Sequence, residues 1–237
     1  GTWQAISRRI AHTLQARGVP ASRIVLLPNA VDGARFAGIA RDPAAPPRFL
    51  FVGRLEAEKG LATLLAAFAR IADAHPAASL LLVGSGRLEK ALADDARRLG
   101  IAHRVEFAGH SDDVAAKLAQ GNIGVLGSRI EGLSNTLLES MASGLPMVAS
   151  RISGNEDFVQ HGRNGWLFEP GDVDGLAACL AEAAALDPAR RSAMGEDARA
   201  TVLAQAGLEQ VLNRLQALYA DAPPLPPLAA VGSRRGC

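Results

Sequence analysis

An excess of charge of either sign is missing from this chain. Its 25 Lys and Arg stand against 24 Asp and Glu along 237 residues, a formal net charge of +1. Without a basic stripe there is no electrostatic reason to expect nucleic acid as a partner, and the few well-placed cations suit a substrate phosphate better. Cysteine is almost absent too. Cys179 sits inside an Ala-rich helical pattern and Cys237 is the last residue, so neither a disulfide framework nor a zinc site is expected. The five histidines, His12, His75, His103, His110 and His161, lack metal-ligand spacing, and no metal or other cofactor is expected. No secretory pattern and no run of about 18 apolar residues occurs. The expected location is therefore the cytoplasm, extending to the inner face of the membrane. What is abundant is apolar: 49% of residues are hydrophobic, enough to bury a substantial core.

Those apolar residues alternate between two periods. Phe49 to Val52, Ser79 to Val83, Val105 to Phe107, Ile123 to Leu126 and Met147 to Ala149 read as buried strands. Leu61 to Ala74, Leu88 to Leu99, Val114 to Ala119 and Thr136 to Ala142 read as amphipathic helices between them. Strand and helix in turn predict a doubly wound, parallel α/β sheet. Residues 3 to 17 read as an amphipathic helix and Arg23 to Leu27 as a strand, followed by the linker-like Pro43-Ala-Ala-Pro-Pro47. Residues 172 to 186, 188 to 205 and 208 to 219 read as further helices, and 222 to 237 as a disordered tail.

Two motifs carry chemistry. In Glu131-Gly-Leu-Ser-Asn-Thr-Leu-Leu-Glu139, two carboxylates bracket the start of a helix just after a strand. Free amides near Leu133, Ser134 and Asn135, with the positive end of the helix dipole, would favour a diphosphate. In Phe51-Val-Gly-Arg-Leu-Glu-Ala-Glu-Lys-Gly60, Arg54 and Lys59 follow the C-terminal end of a strand, where open α/β sheets bind ligands. A guanidinium and an ammonium together could neutralise a diphosphate leaving group without a metal. The plainer alternative is a solvated Lys59 and an Arg54 paired with Glu56 or Glu58.

With these residues in place the chain resembles the family-4 retaining nucleotide-sugar glycosyltransferases of GT-B fold. The likeness runs from Gly18-Val-Pro-Ala-Ser-Arg-Ile-Val-Leu-Leu-Pro-Asn29 through Gly53-Arg-Leu, Lys59-Gly60 and the glutamate motif to Pro146, then Gly154-Asn-Glu-Asp-Phe-Val and His161-Gly-Arg-Asn-Gly-Trp-Leu-Phe-Glu-Pro-Gly171. The resemblance implies a Rossmann-like donor domain in which Arg54, Lys59 and Glu131 are the catalytic set. It implies donor contacts from Gly53, Arg54, Lys59, Glu131, Gly132, Leu133, Ser134, Asn135, Thr136 and Glu139, with Arg54 and Lys59 on the diphosphate, Glu131 on sugar hydroxyls and Glu139 on the ribose. Arg104, Val105 and Glu106 are expected to face the base through their backbone. Two departures stand out. Asn29-Ala30-Val31-Asp32 has Ala where the family usually has Gly, and Gly127-Ser128 replaces Pro-Ser. Ala30 would disfavour a positive φ, so the hinge is expected to differ in shape.

By the same resemblance, residues 1–28 are the end of an N-terminal acceptor domain, 29–47 a linker, 48–206 the donor domain, 207–220 a helix crossing back and 221–237 a tail. Roughly 160 to 190 residues would complete the acceptor domain. The expected activity is transfer of a sugar from its nucleoside diphosphate to a hydroxyl of a glycan or lipid-linked glycan, with retention. The expected partners are that donor, that acceptor and the missing domain, through which contact with a membrane surface is also expected. Rival readings are a nucleotide-sugar-binding module without transfer and a GT-B nucleotide-sugar epimerase. Gly84-Ser-Gly86 invites a nicotinamide reading, but Glu89 occupies the place of the third glycine. His110 reads as a loop-lining residue rather than a catalyst.

Overall fold

The computed structural model describes residues 1–220. The expectation of a disordered tail, like Cys237, lies outside them.

Six strands form one parallel sheet. Strands β1 (Trp3–Ala5) and β2 (Ile24–Leu26) pair separately as a two-stranded parallel ribbon. The main sheet contains β3 (Arg48–Val52), β4 (Ser79–Val83), β5 (Val105–Phe107), β6 (Ile123–Leu126), β7 (Met147–Ser150) and β8 (Gly165–Phe168). Its order is β5-β4-β3-β6-β7-β8, all neighbours parallel. The sequence steps outward from β3 in one direction and from β6 in the other, so the β3/β6 boundary is the switch point of a doubly wound sheet. Strands buried on both faces need side chains apolar at every position, and β6 and β8 are buried along their whole length.

Helix α1 is Arg8–Ala16, α2 Leu61–Ile71, α3 Glu89–Arg98, α4 Val114–Leu118, α5 Asn135–Ala142, α6 Asn155–Phe158, α7 Val173–Ala184, α8 Pro188–Ala206 and α9 Leu208–Ala220. In α2, Leu61, Leu64, Leu65, Phe68 and Ile71 recur at helical spacing and are buried. Burying each such side chain is worth roughly 1.5–3 kcal/mol relative to exposing it. Phe68 meets Phe49 of β3 edge-on, with ring centroids 6.1 Å apart. α2 packs on α3 and α7, whereas α5 packs on α8, giving two helical layers. Cys179, on the buried side of α7, is a free thiol pushed up to about 11 mainly by burial.

The sequence pattern erred at the N-terminus. Residues 3 to 17 are not one helix: Trp3–Ala5 pairs with Ile24–Leu26, and α1 starts only after Ser7, whose side chain accepts from the Ile10 amide. The cap stops the helix, and backbone pairing then decides what precedes it. β8 and α6 were not anticipated. Gly165-Trp-Leu-Phe168 is too short for periodicity to reveal, and its strand character comes from pairing with β7.

Between the ribbon and the sheet, residues 29–47 are fastened at several points. Val31 donates to the Ala206 carbonyl at 2.8 Å and accepts from Leu208 at 2.9 Å, tying this segment to the α8/α9 junction. Ala30 causes no strain, since among the described residues only glycines have positive φ. Arg41 caps two helices at once, donating to the carbonyl of Leu118, the last residue of α4, at 2.9 Å and to the Ser143 carbonyl after α5 at 2.5 Å. The negative helix ends stabilise its charge, although burial still lowers its pKa to about 10.

Candidate active site

At the switch point, two loops leave the C-terminal edge side by side: residues 53–60 after β3 and 127–134 after β6. Their closeness depends on glycine. Gly60 has φ +68°, and a Cβ there would lie 2.1 Å from the Gly127 carbonyl oxygen. The Arg129 amide donates to the Glu58 carbonyl at 2.8 Å, which fixes the loops in register. Gly84 serves the next pair of loops similarly, because a Cβ there would lie 1.9 Å from the Gly53 carbonyl oxygen. The Gly84-Ser-Gly86 segment thus has a packing reason for its glycines without any dinucleotide.

Lys59 ends the 3-10 turn Ala57–Lys59, and its ammonium forms an ion pair with Glu131 across the gap. Both side chains are largely buried, at 19% and 14% exposure. Ser128 Oγ donates to Glu131 Oε1 at 2.7 Å, the same oxygen that Lys59 holds. Behind it, Ser150 Oγ at the end of β7 donates to the Ser128 carbonyl at 2.6 Å, and Asn155 Nδ2 donates to the Ser150 carbonyl at 2.9 Å. The carboxylate is therefore oriented from the β7 side of the sheet. Sequence reasoning passed over Ser128, Ser150 and Asn155 as site residues. The available signal was a hydroxyl ending the otherwise apolar Met-Val-Ala-Ser150.

Ser134 caps α5, accepting from Leu137 N at 3.4 Å, so this helix end lies beside Glu131. Gly132 and Thr136 are half-buried, Leu133 is buried, and Asn135 is exposed and accepts from Asn29 Nδ2 at 2.8 Å. One turn further on, Glu139 lines a hollow with Ala30, Asp32, Arg35, Asn135 and Leu208. Burial raises its pKa above the ordinary value, against a smaller lowering by Arg35.

Not every expected residue joins this cluster. Arg54 turns outward, 72% exposed, and pairs with Glu58 at 3.1 Å, one of the plainer partners anticipated for it. Glu56 is engaged by Arg87 at 2.9 Å. Arg104, Val105 and Glu106 are displaced more seriously. β5 runs parallel to β4, so Arg104 precedes it at the edge opposite the loops, where its guanidinium donates to the Ala72 and His75 carbonyls beyond α2. Glu106 pairs with Arg48, the first residue of β3. Arg104 thus lies at the end of β5 away from the loop edge, and Glu106 is held mid-strand beside Arg48. The backbone that reaches that edge is the continuation of β5, where Gly109 accepts from Gly84 N at 2.7 Å. His110 lies in this loop, exposed and 3.2 Å from Asp112.

The family model described as "Glycosyl transferases group 1" matches residues 46–185, spanning the sheet from just before β3 through α7. The chain belongs to this family. Among its relatives is a glycogen synthase of Mycobacterium tuberculosis, 36% identical over 162 residues that cover 67% of this chain and 39% of that protein. Another is the lipopolysaccharide core biosynthesis glycosyltransferase LpsE of Rhizobium meliloti, 34% identical over 181 residues covering 76% and 52%. The chain thus spans about half or less of these group 1 relatives. Among solved structures, Anabaena HepE in complex with UDP aligns with a TM-score of 0.83 at 21% identity, over 93% of this chain and 64% of that one. Sucrose-phosphate synthase from Thermosynechococcus elongatus aligns with a TM-score of 0.79 at 27% identity, over 92% and 57%. The fold of this group 1 chain is that of the GT-B glycosyltransferases, a Rossmann-like parallel sheet. No helix among the described residues is long and apolar enough to cross a membrane.

Proposed function

We propose that this chain is the donor-binding, C-terminal portion of a family-4 retaining glycosyltransferase. It binds a nucleotide-diphosphate sugar, and the complete enzyme moves the sugar to a hydroxyl of a glycan or lipid-linked glycan. The observation that carries this reading is the meeting of Lys59, Glu131 and the capped start of α5 at the β3/β6 switch point, where doubly wound sheets bind ligands. As the bond from the sugar C1 to the diphosphate breaks, negative charge develops on the leaving oxygen. Lys59, Arg54 swung in from Glu58, and the α5 amides stabilise that charge, without calling on a metal. Glu131, held by Ser128, accepts hydrogen bonds from sugar hydroxyls and orients C1. Glu139, from its hollow beside the linker, takes the ribose. Retention rests on the resemblance of the motifs.

Membership of group 1 and relatives that act as glycosyltransferases support transfer over mere binding or epimerisation. The acceptor half is proposed to sit on the β1–β2 ribbon and α9, which leave Trp3, Leu26, Leu212 and Tyr219 exposed. The test is a thermal-shift panel of UDP-, GDP- and ADP-sugars, because a ligand that binds only the folded state raises its melting temperature. One nucleotide series should stabilise the chain. If none does, this is not a donor site.

A further inference from the structure

Lys59 and Glu131 are assigned above to two different parts of one ligand, yet in the free chain they hold each other. At 19% and 14% exposure, either charge would be costly to leave unpaired. Glu131 Oε1 is shared by Lys59 and Ser128, while Oε2 accepts no hydrogen bond from the described residues. Any phosphate that takes Lys59 must therefore come to rest against a carboxylate.

The two candidate ligands meet that carboxylate differently. A nucleotide sugar brings hydroxyls, which donate to Glu131 and replace the cation as it leaves for the diphosphate. A bare nucleoside diphosphate brings no donor at that end. It also carries about one more negative charge, because its terminal phosphate loses a second proton near pH 6. On the donor-site reading, we propose that the Lys59–Glu131 pair makes the site discriminate for nucleotide sugars against the bare nucleoside diphosphate. Glu131 holds Lys59 until sugar hydroxyls replace it, and recaptures it once the sugar has gone. The same exchange then favours release of the product. Ser128 is the positioning residue that keeps Glu131 in reach of both partners.

The test is calorimetry of the chain with matched ligands: UDP and UDP-glucose, GDP and GDP-mannose, ADP and ADP-glucose. For the series that the parent binds, Glu131→Gln should bind the bare diphosphate about tenfold tighter, equivalent to about 1.4 kcal/mol, because Lys59 no longer has to leave a carboxylate to reach the phosphate. It should bind the nucleotide sugar more weakly, reversing the preference. The gain should fall below about twofold in a Lys59→Ala background, since it depends on freeing that ammonium. Glu131→Met serves the same purpose if circular dichroism shows the Gln variant to be unfolded. Unchanged or weakened binding of the bare diphosphate would overturn the discrimination and leave the donor site standing. Failure of the parent to bind any of the six ligands would overturn both.

Discussion

The sequence assigns Lys59 and Arg54 to one diphosphate, and burial separates them. Lys59→Ala leaves Glu131 with Ser128 as its one remaining partner among the described residues, so the chain should lose about 1–3 kcal/mol of stability in urea titrations. Arg54→Ala gives up only an exposed pair with Glu58, and its stability should stay within about 0.5 kcal/mol of the parent. Nucleoside-diphosphate binding should nevertheless weaken by about 1.5–3 kcal/mol in each variant, as measured by calorimetry, because a charge-assisted contact is lost. Glu139 permits a prediction about pH. Burial makes this carboxyl easier to protonate in the folded chain than at its ordinary value of 4.5. Folding is therefore penalised when it ionises: the penalty is absent below the ordinary value and complete once pH has risen past the folded one. Glu139→Gln should raise the melting temperature relative to the parent near pH 7.5 and lose that advantage near pH 4. An equal shift at both values would mean that burial of the charge is not the cause.

For the elements, the decisive feature is how closely two loops approach. Gly60→Ala places a methyl group 2.1 Å from the Gly127 carbonyl oxygen and strains a left-handed backbone. It should cost at least about 1–3 kcal/mol, the usual range for such strain, and lower affinity for the nucleotide sugar because Lys59 no longer meets Glu131. A stable variant with parental affinity would show that the loops can separate without consequence. The strands and helices themselves were largely legible. Ser79–Val83 and Ile123–Leu126 fall where the apolar runs placed them, since strands buried on both faces have no other composition available, and the edge strand Val105–Phe107 falls in its expected place as well. Trp3–Ala5 and Gly165–Phe168 were not legible, because three or four residues carry no period and become strands only through their partners.

In the whole molecule, the described residues leave a surface open. The β1–β2 ribbon and α9 carry Trp3 at 50% and Tyr219 at 68% exposure, large aromatic areas for a chain with a well-buried core elsewhere. On the proposed reading this chain alone binds donor and transfers sugar no faster than a blank, because the reaction needs a water-poor cleft with two walls. Adding the upstream residues, in one chain or by co-expression, should restore turnover and shift Trp3 fluorescence to shorter wavelength; robust transfer by the chain alone would refute it. The sequence by itself determined the doubly wound class and the presence of two cations and two carboxylates in the segments that follow two strands, since hydrophobic period and motif spacing are local properties. Only the tertiary structure decided which charges meet. Parallel pairing sends Arg104 to the far edge of the sheet and sets Glu106 mid-strand against Arg48, and the contact of Gly60 with Gly127 brings Lys59 to Glu131. Those outcomes depend on register and on distances between residues 72 positions apart, which no local pattern encodes.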